Sequence, residues 1–248
     1  MTGDLPPILL GALLGLVIGS FAATAAVRMP KGRSAFVGRS ACDGCGRTLG
    51  PKDLIPLLSY VLAHGKCRTC SAQIDPIHIQ IEIAAALIGA FSAALLPPLP
   101  ALAAALFGWT LLTLAALDLR HFWLPDRIVL PLGLAGLAVN AADIGPGLTT
   151  ALIGGASGFV ILYAVGAIYF ALRKRRGLGG GDPKLLGAIG AWVGWAPLPF
   201  VMLGAASLGI VLLLLDRLRG GVVTAVTRVP FGALLAAAAW PTLIAILR

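Results

Sequence analysis

Eight apolar runs, at roughly 5–27, 79–97, 99–117, 128–143, 149–172, 185–197, 198–215 and 229–247, recur along this chain. That recurrence leaves few folds open. About 20 apolar residues in helical form cross a bilayer, and only helices and closed barrels satisfy their backbone there. Hydrophobic residues make up 58% of the 248 and charged residues 12%, about half the charge of a soluble domain, and mean hydropathy is +0.95. The expected fold is an all-α polytopic membrane bundle of about eight transmembrane helices, in which the sixth and seventh runs are short for a crossing. The first run reads as a retained span, because no small-residue cleavage site precedes Arg28-Met29-Pro30.

Basic residues set the orientation. Arg28 through Arg68 in the first loop, Arg120 and Arg127, Arg173 to Arg176 with Lys184, and Arg217, Arg219 and Arg228 all fall on one face of an eight-span chain. Short loops rich in Lys and Arg stay cytoplasmic, which places both termini outside. The formal net charge of +9 then reflects this bias and attraction to anionic lipid, not a nucleic-acid partner. Domain boundaries follow: 1–27 is the first transmembrane helix, 28–78 a cytoplasmic loop and 79–248 the remaining bundle.

All four cysteines lie in that loop, as Cys42-Asp43-Gly44-Cys45 and Cys67-Arg68-Thr69-Cys70, about 21 residues apart. Two such pairs can offer four thiolates to one tetrahedral zinc, and a segment this short needs such a staple. Disulfides and a redox pair are the alternatives, the first disfavoured in a reducing compartment. His64 and His78 read as ordinary loop histidines.

Asp118 in Leu117-Asp118-Leu119-Arg120 and Asp182 in Gly179-Gly180-Gly181-Asp182-Pro183-Lys184 each stand where an apolar run meets a basic loop. A carboxylate there costs about 2.5–3.5 kcal/mol on insertion scales, so it faces a partner, a cavity or water. On one side of the membrane two of them can share a proton, one ionised to activate water and one protonated to polarise a carbonyl. Gly179 and Gly181 would let the backbone bend and an extended substrate approach. Plainer readings stand beside this one. Asp182-Pro183 has the form of a helix N-cap with proline at N1, and Asp118 can pair locally with Arg120. Asp126, after Pro125, reads as a cap or support at the entry to span four, with Lys184 beside the second aspartate. Glu82 suits a bundle-facing hydrogen bond or a substrate contact. Asn140, Asp143 and Asp216 read as solvated or interfacial, and the five tryptophans as belt and packing residues.

Taken together these blocks resemble the bacterial type IV prepilin peptidases, membrane aspartyl proteases of the G-x-G-D kind. The resemblance runs from Gly19-Ser20-Phe21 and Arg28-Met29-Pro30 through both cysteine pairs, Ile55-Pro56-Leu57-Leu58-Ser59-Tyr60 and Glu82. It continues with Asp118-Leu119-Arg120-His121-Phe122-Trp123-Leu124-Pro125-Asp126, Gly179-Gly180-Gly181-Asp182 and Val229-Pro230-Phe231-Gly232. It implies a peptidase of the bacterial inner membrane that removes the short basic leader of prepilins or pseudopilins after a glycine, on the cytoplasmic side. Asp118 and Asp182 would be catalytic, and S-adenosylmethionine-dependent methylation of the new N-terminus would follow. Where the family has Asn-Val shortly after G-S-F this chain has Ala23-Thr24-Ala25-Ala26, which points to weaker methylation. Small-residue runs such as Gly154-Gly155-Ala156-Ser157-Gly158 imply close helix packing, or a groove for the apolar stem of a pilin precursor. Two other classes fit parts of the pattern: a proton-coupled transporter, whose acids would lie nearer the midplane, and a non-catalytic assembly protein, which needs the cysteine loop but not the aspartate pair.

Overall fold

A computed structural model describes residues 5–34, 38–175, 177–221, 224 and 227–248. Arg176 and the first four positions of the 1–27 segment lie outside the described residues. Among the described residues there is no β-strand, only two isolated bridges. Each apolar run lies on a helix: α1 (Leu5–Arg28), α3 (Ile77–Leu95), α4 (Pro98–His121), α5 (Asp126–Ala141), α6 (Leu148–Arg173), α7 (Asp182–Val193), α8 (Leu198–Leu218) and α9 (Phe231–Leu247). A short α2 (Leu58–Leu62) lies in the first loop. Among the described residues five of these, α1, α3, α4, α6 and α8, are long and apolar enough to cross a membrane, and α9 is apolar but shorter.

The chain divides into two compact units, Met1–Ala116 and Leu117–Arg248, with the division inside α4. In the first, α1 lies along α3. Gly15 permits this, since a Cβ there would run into the Ala85 carbonyl, and Gly19 sits against the Glu82 backbone, where a Cβ would lie 2.8 Å from Cα. The Trp109 indole donates to the Ala85 carbonyl at 2.8 Å. This tryptophan packs inside the unit.

In the second unit α7 touches α5, α6 and α9. Every residue of α7 except Lys184 is buried, which explains its brevity: 12 residues rise about 18 Å, and a helix enclosed by others need not match the bilayer. Gly154 of α6 and Gly190 of α7 bring the two backbones into contact that no Cβ would allow, the close-packing reading of the small-residue run. Asn140 corrects the expectation of a solvated position. It is 1% exposed. Its side-chain amide donates to the carbonyls of Gly136, Ala191 and Trp192, and its oxygen accepts from the Gly147 amide. A buried amide this fully bonded is a lock between α5 and the end of α7. The Trp192 indole adds a second tie, donating to the Leu132 carbonyl at 2.7 Å.

Candidate active site and metal centre

Asp118 occupies the last turn of α4, which ends at His121, and Phe122 directly after it takes a left-handed φ of 49°. The carboxylate oxygen accepts the Ala233 amide at 2.9 Å. Ala233 belongs to the first turn of α9, which follows Pro230. The leading amides of a helix have no acceptor within it, and Asp118 supplies one from elsewhere in the chain. The Val229-Pro230-Phe231-Gly232 block thereby acquires a role that sequence reading did not assign. Its only signal was a proline and a glycine opening the last apolar run.

Asp182 is the first residue of α7, and the N-cap position is Gly181. Its carboxylate therefore does not cap its own helix. It turns back to accept the Gly179 amide at 2.9 Å, while its own amide donates to the Gly179 carbonyl at 3.3 Å. Gly179 and Gly181 both stand in this loop, but backbone bending is not what requires a glycine: Gly181 has φ −83°. Space is what it needs, since a Cβ there would fall 2.8 Å from that of Leu124.

Each aspartate is 5% exposed, and the backbone segments that hold them share a neighbour, since Leu124 lies against both Gly181 and Gly232. Two buried carboxyls brought close avoid adjacent negative charges when they hold one proton between them. That arrangement can present a base and an acid to the same bond.

Asp126 is N1 of α5 and not its cap; Pro125 occupies the cap position. Both of its carboxylate oxygens accept from Lys184 Nζ at 2.8 Å. With side chains 52% and 41% exposed, the pair is a solvent-screened clamp between α5 and α7 worth about 0–1 kcal/mol. Asp126→Asn or Lys184→Ala should therefore lower the unfolding temperature by a few degrees at most and keep the leader removal that the resemblance implies within about threefold of wild type. Parallel thermal unfolding and initial-rate measurements check this, and a loss of two orders of magnitude in rate would give Asp126 a direct part in the chemistry.

In the first unit the two cysteine pairs fold into hairpins of one design. Ala41 bridges to Thr48 around the first and Lys66 to Gln73 around the second. The Cys42 amide donates to the Arg47 carbonyl and the Cys67 amide to that of Ala72. Gly46 and Ser71, each four residues after the leading cysteine, take left-handed φ of 72° and 57°. Asp53 ties the hairpins together, pairing with Arg47 at 3.0 Å and Arg68 at 3.7 Å. The four Sγ atoms lie within 4.8 Å of one another, all as free thiols. The Gly44 amide points at Cys42 Sγ, 3.4 Å away. The backbone amides of Cys70 and then Thr69 pull the Cys67 thiol down to about 6, into the range where it is a thiolate and a metal ligand. Against the pull of the Ala72 amide, burial and the neighbouring sulfurs push the Cys70 thiol up to about 11, so four thiolates here would repel one another, and a divalent cation would relieve that repulsion. The donor set fits a tetrahedral metal.

His64 lies after α2 with φ 51° and its ring nitrogen 3.2 Å from the Val61 carbonyl. His78 lies in the first turn of α3, not in the loop. It lines a cavity of about 170 Å³ beside the cysteine hairpins, together with Ser20, Thr24, Tyr60, Cys42 and Glu82. Glu82, 6% exposed, accepts the Leu57 amide at 2.7 Å. That bond holds Leu57 at φ 58°, ψ −52°, a γ-turn of the rare, strained hand, closed by the Leu58 amide on the Pro56 carbonyl at 2.6 Å. The hydrogen bond that Glu82 makes is therefore to the first loop and not into the bundle, and the residue also lines one wall of the cavity.

Residues 13–96 match the family described as bacterial peptidase A24 N-terminal domain, and residues 105–214 match the type IV leader peptidase family. Among curated proteins, the chain is similar to the prepilin leader peptidase/N-methyltransferase of Burkholderia pseudomallei strain K96243, with 39% identity covering 87% of this chain and 70% of that one. The protein of the same name from Pseudomonas aeruginosa is 34% identical, over 96% of this chain and 90% of its own. The Aeromonas hydrophila protein, also so named, is 36% identical, over 84% and 72%. No solved structure matches the chain.

Proposed function

The chain belongs to the type IV leader peptidase family, and on that premise we propose that Asp118 and Asp182 are the catalytic pair with which it removes the basic leader of prepilins or pseudopilins after a glycine. It is a multi-pass membrane enzyme, a prepilin peptidase of a family whose named relatives are also N-methyltransferases. The observation that carries the residue assignment is the burial of two carboxyls from motifs more than sixty positions apart, held by segments that pack against the same leucine, Leu124.

One carboxylate of the pair takes a proton from a water held between them, and the oxygen of that water attacks the scissile carbonyl carbon. The protonated partner gives its proton to the carbonyl oxygen. Collapse of the tetrahedral adduct breaks the C–N bond, the new amine takes up a proton, and the pair returns to its singly protonated state. Burial keeps bulk water from competing for these hydrogen bonds.

Residues 79–248 are the peptidase bundle in this reading, and 28–78 a cytoplasmic loop that zinc on Cys42, Cys45, Cys67 and Cys70 would hold together. Zinc there supplies a cross-link. The methyl donor, S-adenosylmethionine, supplies an electrophilic methyl on a cationic sulfur. The cavity beside the hairpins suits that cation, with the buried carboxylate of Glu82 and the Tyr60 ring as counterparts. The clustering of Lys and Arg in the loops that also carry the aspartates supports an active site facing the cytoplasm of the inner membrane, termini outside, eight spans, and contact with anionic lipid but no nucleic acid.

Purified full-length chain mixed with a prepilin and S-adenosylmethionine tests this directly. Mass spectrometry should show leader loss first. Methylation of the new N-terminus should trail it, because the segment Ala23-Thr24-Ala25-Ala26, where the family has Asn-Val, lacks the asparagine, and its three alanines are buried. An intact prepilin after prolonged incubation would overturn the assignment, and methylation keeping pace with cleavage would show the asparagine to be dispensable.

A further inference from the structure

One buried side chain touches both of the backbone segments on which the aspartate pair depends. Leu124 follows the left-handed Phe122 by two residues and precedes Pro125, a position where helical backbone is disfavoured, and it is 9% exposed. On one side it meets Gly181, the residue before Asp182. A Cβ on Gly181 would lie 2.8 Å from Leu124 Cβ and 3.2 Å from Cδ1. On the other side it meets Gly232, the residue before the amide that holds Asp118. A Cβ on Gly232 would lie 2.7 Å from Leu124 Cδ1 and 3.0 Å from the Asp118 carboxylate oxygen. Neither glycine has a positive φ. Both are small because Leu124 fills the space a side chain would need.

We propose that Leu124 is a positioning residue for the peptidase: its isobutyl group, wedged between Gly181 and Gly232, sets the separation of the Asp118 and Asp182 carboxyls. The inference rests on those two aspartates being the catalytic pair. Nothing at Leu124 can move a proton, so it acts only through the loops it touches. Reacting groups must be held to within fractions of an ångström, and a displacement of about 1 Å can cost about a hundredfold in rate. Interiors are close-packed, so removing the wedge lets both loops relax into the gap.

The test uses full-length enzyme in detergent, with kcat and KM on a prepilin measured per folded molecule. Leu124→Ala should lower kcat about 10- to 100-fold with KM within about twofold, and Leu124→Met, which conserves volume, should stay within about threefold of wild type. Gly232→Ala should also lower kcat. In the double variant the new methyl occupies space that Cδ1 has vacated, so kcat should exceed the product of the single effects by about threefold or more. Recovery stays partial because that methyl still meets Asp118. A kcat per folded molecule unchanged in Leu124→Ala, or single effects that simply multiply, would overturn the wedge. Asp118→Asn run alongside separates the two levels of argument: an inactive Asp118→Asn beside a normal Leu124→Ala sinks only the wedge, whereas an active Asp118→Asn removes the pair on which it rests.

Discussion

Asp118→Asn and Asp182→Asn should each abolish leader removal, with a loss of about a thousandfold or more, while leaving the protein folded and inserted. General acid and base groups each contribute about 10²–10⁴, and a pair that shares one proton loses its cycle when either member can no longer exchange it. The substitution is nearly isosteric. An asparagine at 118 can still accept the Ala233 amide and one at 182 the Gly179 amide, so neither loop loses its hydrogen bond. Activity and stability therefore separate: a gel shift of prepilin in cells carrying each variant reads the first, and thermal unfolding of purified protein reads the second. Near-normal processing by Asp182→Asn would sink the pair. Processing lost only in proportion to folded protein would make the aspartates structural.

The helices were legible because apolar length alone specifies them, and each of the eight runs lies on one. Length is a poor guide for α5 and α9, which at 16 and 17 residues are shorter than the five long spans, and poorest for α7, which is packed among other helices, a fact about neighbours that hydropathy along the chain does not carry. Asp182 followed by Pro183 has the local form of a cap. The backward bond to Gly179 wins because the loop folds over the start of the helix, leaving the carboxylate beside an amide that precedes it. Asn140 was misread for the same reason: a polar residue near the end of an apolar run signals an interface only if no partner comes from afar, and here carbonyls about fifty positions later converge on it. The amide that holds Asp118 lies 115 positions away, and backbone amides leave no mark on a sequence. What could be seen was the pair of aspartates. What could not was how Leu124, Gly181 and Gly232 space them.

The cysteine module invites the other large effect. Wild-type protein should carry one zinc per chain, and Cys42→Ser with Cys67→Ser should remove it, taking one ligand from each hairpin and leaving two thiolates where a closed site needs four. Around these cysteines the hairpins are held by a few backbone bonds and the Asp53 ion pairs, with side chains largely at the surface, so little apolar burial remains to replace the metal. Structural zinc is worth about 10–16 kcal/mol in small finger peptides at neutral pH, far more than those surface ion pairs supply. Residues 28–78 should then become sensitive to limited proteolysis, and the cavity bordered by Cys42, Tyr60 and Glu82 should lose its affinity for S-adenosylmethionine, read by equilibrium binding. The aspartate pair lies in the other compact unit, so leader removal should decline less than methylation does. Metal analysis with thiol titration decides the first step: wild type without zinc, and with four thiols titrating freely, would refute the site. If the zinc is present but the serine variant binds the methyl donor as wild type does, the cavity beside the hairpins is not where that donor sits.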